Sequence, residues 1–129
     1  MPHLRVEYSP GLEAKTSIQA MCDALHAAMD ATGVFPLAGI RVKAHRCAQV
    51  CVADRHPDNH FVALELSVGA GRAKAVLSGA GEAVFAAAKT ALAPLLAHPH
   101  FMLSMEIREI DPELSWKANA IHDRLRAQS

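Results

Sequence analysis

The sequence predicts an α/β (α+β) fold, with two tandem βαβ units forming a four-stranded sheet and both helices on one face. Three observations carry this. A strand-like alternation, a helical period and a second strand-like run occur in that order and then occur again, at an offset of about 60 residues, close to the size of one βαβ unit. Each such unit pairs its strands in parallel through a right-handed crossover, which puts both helices on the same side. The 129 residues, 51% hydrophobic and 20% charged, suffice for one core and are too few for two ordinary domains.

The elements follow in order. Residues 3–8 alternate polar and apolar, the period of a half-buried strand. Ile18, Met21, Cys22, Leu25 and Met29 then fall on one helical face, and Thr32-Gly33 ends the helix, with glycine suited to the left-handed position after it. Residues 40–52 alternate again: Ile40, Val42, Ala44, Ala48, Val50 and Val52 share one face, and Arg41, Lys43, His45, Cys47, Gln49 and Cys51 the other. A turn cluster at residues 56–59 separates the halves. Residues 61–68 read as a strand and residues 73–97 as a helix, weakened by Gly79 and Gly81 and kinked or ended by Pro94. Residues 101–110 read as a fourth strand, and a short helix around residues 116–125 is expected within 113–126. The chain is thus read as a single domain, 1–129, with pseudo-repeats at about 1–57 and 58–112. One sheet face remains uncovered by helices. Its mixed residues imply a second subunit against it.

Composition excludes several classes of function. Thirteen basic residues balance thirteen acidic ones, so there is no global electrostatic footprint for nucleic acid or an anionic membrane. No apolar run approaches the roughly 20 residues of a membrane span, and the first ten residues lack the apolar stretch of a signal peptide. Three cysteines without export signals read as reduced thiols in the cytoplasm.

Three places could carry chemistry. Pro2 follows Met1, and a small second residue generally permits removal of that methionine, leaving a secondary amine as a base without a spacer. An apolar or cationic setting would lower its pKa below the ordinary value of about 8. Pro2 shares strand parity with Leu4, Val6 and Tyr8, though taken alone it reads first as a strand start. The run Ser67-Val68-Gly69-Ala70-Gly71-Arg72 passes from strand to helix through two glycines, where backbone N–H groups bind anions and a guanidinium grips a carboxylate through two parallel bonds. It lacks the third glycine of a dinucleotide fingerprint, and a lone turn of this kind is usually only a turn. The apolar stretch at residues 32–41 delivers Arg41 to the start of a strand. A buried Arg41 would need an anionic partner, and an exposed one packs its stem on the loop; the sequence leaves both open.

A metal centre is not expected. On one extended strand Cys47 and Cys51 would lie roughly 13 Å apart, too far for one zinc ion at about 2.3 Å from each sulfur. His56, His60, His98 and His100 flank prolines and turns, where solvated histidines are ordinary. No GxSxG, HExxH or paired CxxC framework is present.

Taken together, Pro2-His3, TGVFPLAGIR at residues 32–41 and VGAGR at residues 68–72 resemble the 5-carboxymethyl-2-hydroxymuconate isomerases of the tautomerase superfamily. The tail fits as well, through Glu106-Ile107, Asp111-Pro112-Glu113-Leu114, Lys117, Asn119 and Ile121-His122. The resemblance implies a tautomerase-like, trimer-forming fold, with sheets packed around a threefold axis to cover the open face. It also implies a cytoplasmic keto-enol tautomerase of homoprotocatechuate and 4-hydroxyphenylacetate catabolism, acting on a small polycarboxylate without cofactor or metal. The family's catalytic proline falls on Pro2 and its substrate-binding arginines on Arg41 and Arg72. Lys43 stands where the family has arginine, and Pro94 where its second helix usually continues. Other tautomerase-superfamily activities on related acids, or non-catalytic binding of carboxylates by a trimer, are the alternatives.

Overall fold

The protein was analysed as a computed structural model, which describes residues 1–128. Strand β1 (His3–Tyr8) leads through a 3-10 turn into helix α1 (Ile18–Ala31), and a second 3-10 turn, Leu37–Gly39, returns the chain to β2 (Arg41–Arg46). The second half repeats the order with β3 (His60–Gly69), α2 (Lys74–Ala91), the one-turn α3 (Ala93–Leu96) and β4 (Phe101–Ile110). A 3-10 turn at Pro112–Leu114 and helix α4 (Ala120–Ala127) complete the chain.

The sheet order is β2-β1-β3-β4. Within each half the strands are parallel, as a crossover through a helix requires, and β1 and β3 join the halves antiparallel. Leu4, Val6, Val62, Leu64, Leu66 and Val68 alternate onto one face and form a single core with Met21, Leu25 and Met29 of α1 and Leu77, Ala80, Val84 and Ala88 of α2. Both helices therefore cover the same face. Ser17 caps α1, its hydroxyl oxygen accepting the Ala20 N–H at 3.1 Å, and Gly33 follows the helix at φ +68. Helix α2 runs unbroken through Gly79 and Gly81; the second is buried, and a side chain there would press on Ile107 Cδ1 at 2.9 Å. The break comes at Leu92, and Pro94 sits in the first turn of α3, where its missing N–H costs nothing.

The opposite face carries His3, Arg5 and Glu7 of β1 beside Ala63, Glu65 and Ser67 of β3. Glu65 lies 3.8 Å from Arg5 and 3.4 Å from Arg108, so this face is laced by ion pairs and is not greasy. No helix among the described residues is long and apolar enough to cross a membrane. Cys22, Cys47 and Cys51 are free thiols.

Two elements differ from the sequence expectation. The strand anticipated at residues 40–52 stops at Arg46, because β2 is an edge strand whose sole partner is β1. Its last bond is the Cys47 N–H to the Tyr8 carbonyl at 2.9 Å, and the loop beyond contains Ala53 and Arg55 at positive φ. Alternation without a partner strand makes no strand. The spacing of Cys47 and Cys51 on an extended chain therefore does not apply. The helix expected at 113–126 begins only at Ala120, because Asn119 caps it: its side-chain oxygen accepts the His122 N–H at 3.0 Å.

Candidate active site

Pro2 opens β1, a strand position that tolerates the loss of a backbone donor. Its carbonyl accepts the Arg41 N–H at 3.4 Å, so the β1–β2 register sets Pro2 beside Ile40. As its parity with Leu4 and Val6 requires, Pro2 turns into the helix-covered side and is almost wholly buried. Gly39 permits this. A Cβ there would lie 3.0 Å from Pro2 Cδ and 3.8 Å from Met1 Cα.

Met1 lies between the two motifs. Arg41 Nη1 is 4.0 Å from its sulfur, and a Cβ on Gly69 would stand 3.8 Å from its nitrogen and 4.0 Å from Arg72 Nη1. The antiparallel register of β1 on β3, His3 opposite Ser67, brings the two halves together here. Arg72 is half-buried and fixed. It donates to the Gly69 carbonyl at 3.2 Å and the Val34 carbonyl at 3.4 Å, with its guanidinium carbon 5.3 Å from the Phe35 ring centre. Arg41 is exposed and donates to the Gly39 carbonyl at 3.2 Å. The stretch at residues 32–41 buries Phe35, Gly39 and Ile40 but exposes Leu37, so a buried Arg41 demanding a partner is not what the chain contains. Neither arginine has an acid within salt-bridge distance among the described residues.

Two cavities flank Met1. The one of about 340 Å³ is lined by Pro2, Pro36, Gly39, Asn119 and His122 among others, and the one of about 230 Å³ by Gly69, Ala70, Ile110, Pro112 and Ser115. Met1 and Lys117 line both. The chain-terminal amine has its pKa lowered, first by burial and then by the positive charges of Lys117, Arg72 and Arg41, all of which disfavour the ammonium form. His3 likewise has its pKa lowered, first by burial and then by Arg41, Lys43 and Arg5, and its Nδ1 is buried without a hydrogen-bond partner among the described residues.

The tail closes the site. Asn119, besides capping α4, donates its side-chain N–H to the Ala38 carbonyl at 2.9 Å and so ties residues 115–119 to the loop over Pro2. Gly39, Lys117 and Asn119 were assigned no role by sequence reasoning. The available signals were a glycine two residues before Arg41 and an asparagine three residues before the His122 N–H that it caps.

Histidines gather at the other end of the sheet. Donor atoms of His56, Asp58 and His100 lie within 4.8 Å of one another. His56 Nδ1 is engaged by the Asp58 N–H at 3.1 Å, and the two rings stack at 4.1 Å with only 21° between their planes. Lone pairs of near-parallel rings do not converge on one ion, and neither Cys47 nor Cys51 joins the group.

The model of the 5-carboxymethyl-2-hydroxymuconate isomerase family matches residues 2–125. The chain belongs to that family. It is 36% identical over 122 residues to the Escherichia coli 5-carboxymethyl-2-hydroxymuconate Delta-isomerase, covering 95% of this chain and 97% of that one. The crystal structure of a 5-carboxymethyl-2-hydroxymuconate isomerase from Deinococcus radiodurans R1 superposes with a TM-score of 0.89 at 37% identity, over 97% of this chain and 94% of the other. A further structure, of a 5-carboxymethyl-2-hydroxymuconate delta-isomerase, gives 0.87 at 31% identity over 97% and 93%. At 20% identity, a fused 4-OT symmetric trimer shares the fold with a TM-score of 0.65, covering 90% of this chain and 93% of that one.

Replacing Asn119 with Ala removes a cap worth about 1 kcal/mol together with the tether to Ala38. Amide hydrogen exchange through residues 112–127 should quicken about five- to thirtyfold while β1 and β3 stay as protected as before. Unchanged exchange in the tail would show that Asn119 does not hold it.

Proposed function

We propose that this isomerase-family chain is a keto-enol tautomerase that converts 5-carboxymethyl-2-hydroxymuconate to its 2-oxo isomer, with the Pro2 amine as base. The observation that carries the reading is the chain start. Pro2 is buried beside Gly39, next to a Met1 amine that feels three cations, and among the described residues neither arginine has an acid within salt-bridge distance. Loss of Met1 turns an amide nitrogen into a secondary amine. It also removes a residue that lines both cavities, of about 340 and 230 Å³, which enlarges the space beside the new amine.

In this mechanism the free amine takes the proton of the 2-hydroxyl group. The O–H electron pair becomes the carbonyl, the conjugated double bonds shift, and the proline ammonium returns the proton to carbon at the far end of the system. Atoms and oxidation state balance without a co-reactant. Arg41 and Arg72 hold carboxylates and stabilise the charge that builds on oxygen. A base works best with a pKa near the operating pH, and burial together with neighbouring cations moves an α-amine in that direction. The family resemblance supports a place in homoprotocatechuate and 4-hydroxyphenylacetate catabolism in a bacterial cytoplasm.

The same reading includes a homotrimer. Among the described residues no helix covers the face bearing His3, Arg5, Glu7 and Glu65, and none offers a hydrogen-bond partner to the buried His3 Nδ1. A neighbouring sheet would cover the face and offer that atom a partner. Light scattering should give about three times the 13.8 kDa chain mass, and a fully active monomer would remove this part of the reading.

Replacing Arg41 or Arg72 with Ala should cost roughly ten- to a hundredfold in kcat/KM, the worth of charge-assisted bonds of about 1.5–3 kcal/mol. Lys at either position restores charge without the planar fork, so recovery should be partial. Two folded Ala variants with unchanged kinetics would refute the carboxylate clamp.

Chains that retain Met1, identified by intact mass, should be folded and close to inactive, and kcat per subunit should scale with the trimmed fraction. Because the base acts deprotonated, kcat/KM should rise with pH to a plateau. Burial and the same neighbouring cations lower the pKa of the Met1 amine, and a Pro2 amine exposed by trimming would meet the same influences, so the midpoint should lie below that of an unperturbed terminal amine. Removing the Arg72 charge should move that midpoint upward. Full turnover by a preparation retaining Met1 on every chain would end the proline-base mechanism.

A further inference from the structure

We propose that Lys117 is a specificity-determining cation of this site, holding a third carboxylate and so favouring a tricarboxylate dienol over a dicarboxylate one. The inference rests on the function proposed above and names the feature of the substrate that the tail recognises.

Lys117 and Met1 are the two residues common to both cavities, so the lysine borders both the Gly39 side and the Gly69 side of the chain start. Arg41 stands on β2, Arg72 on the turn after β3 and Lys117 on the tail, three positive charges on three separate elements around the chain start, and of the three Lys117 is the one that lines the cavities. Lys117 has no acid within salt-bridge distance among the described residues. The carboxylate that shares its cavity, Asp123, is engaged by Arg126 at 3.3 Å. Its backbone is held on both sides, by the 3-10 turn at Pro112–Leu114 and by the Asn119 tether to Ala38. Of the three cations, Lys117 weighs most on the Met1 amine, after burial, which agrees with its sharing both cavities with Met1.

The chemistry matches in number and in kind. A hydroxymuconate has one carboxylate at each end, and the carboxymethyl branch adds a third. The terminal carboxylates lie in a planar conjugated system and suit the fixed fork of a guanidinium. The branch carboxylate turns on a methylene and suits the compact charge and flexible stem of a lysine.

The test uses Met1-trimmed protein with Lys117→Met, which keeps the stem and removes the charge, and Lys117→Arg. Both are compared with wild type on 5-carboxymethyl-2-hydroxymuconate and on 2-hydroxymuconate, which lacks the branch. Assays are run on the pH plateau, so that altered protonation of the Pro2 amine does not enter. Lys117→Met should lose about ten- to a hundredfold in kcat/KM on the tricarboxylate, mainly through KM, and less than about threefold on the dicarboxylate. Lys117→Arg should recover most of the loss. Equal losses on both acids, or no loss on either, would overturn the assignment. Calorimetric binding of propane-1,2,3-tricarboxylate and of glutarate gives a readout independent of turnover. Only the tricarboxylate should weaken in Lys117→Met, by about tenfold or more. If wild type turns over neither dienol, the proposed reaction fails, while the binding pair still decides for or against Lys117.

Discussion

Everything at the candidate site depends on one strand pairing, the antiparallel register of β1 on β3. With His3 opposite Ser67, the first residues of the chain arrive where β3 runs out into Gly69 and Arg72. The parallel pairing of β1 with β2 then sets His3 against Arg41 on the other side. A shift of one residue on β3 would turn Leu4 and Val6 out of the core, so the hydrophobic pattern that folds the domain also fixes where the chain start lies. Neither βαβ unit contains the site alone, since Pro2, Gly39 and Arg41 come from the first and Gly69 and Arg72 from the second.

The site concentrates positive charge without neutralising it, and the fold tolerates this in a particular way. Arg72 satisfies its donors on main-chain carbonyls and lays its plane near Phe35, which holds the guanidinium still while leaving its charge unspent. Arg41 and Lys117 remain in contact with solvent. On the proposed reading an anionic substrate would supply the opposite charge that the fold does not, the usual trade between a stable fold and a prepared site. Arg5, Glu65, Glu106 and Arg108 show the contrasting pattern, with charges on the open face paired among themselves.

Most of the architecture was legible because periodicity reports burial. The residues alternating in β1 and β3, and those at helical spacing in α1 and α2, are the residues of the core. What the sequence misrepresented were features decided by partners. Residues 47–52 alternate as a strand does, yet β1 has ended and offers them nothing to pair with. The tail has helical composition from residue 113, but Asn119 spends its side chain on a cap and a tether, leaving residues 115–119 extended beside the loop. Pro2, Arg41 and Arg72 were singled out by position and motif, and the fold brings all three near the chain start, with Arg41 exposed where the sequence leaves burial open. Lys117 appeared only as one of the tail residues that carry the resemblance, without a role, because an exposed lysine in an irregular segment acquires meaning only from the cavities it lines.

The depth of Pro2 also bears on timing. The proline ring is almost fully buried beside Gly39, while Met1 is only half-buried. Removal of Met1 is therefore least hindered before β1 is paired on both sides. On the ribosome that pairing waits for β3, some 60 residues downstream, or about 3–12 s at ordinary rates of synthesis. If the proposed base is the Pro2 amine, a chain that closes its sheet untrimmed keeps an amide there, and the active fraction in a cell would record a race between trimming and folding.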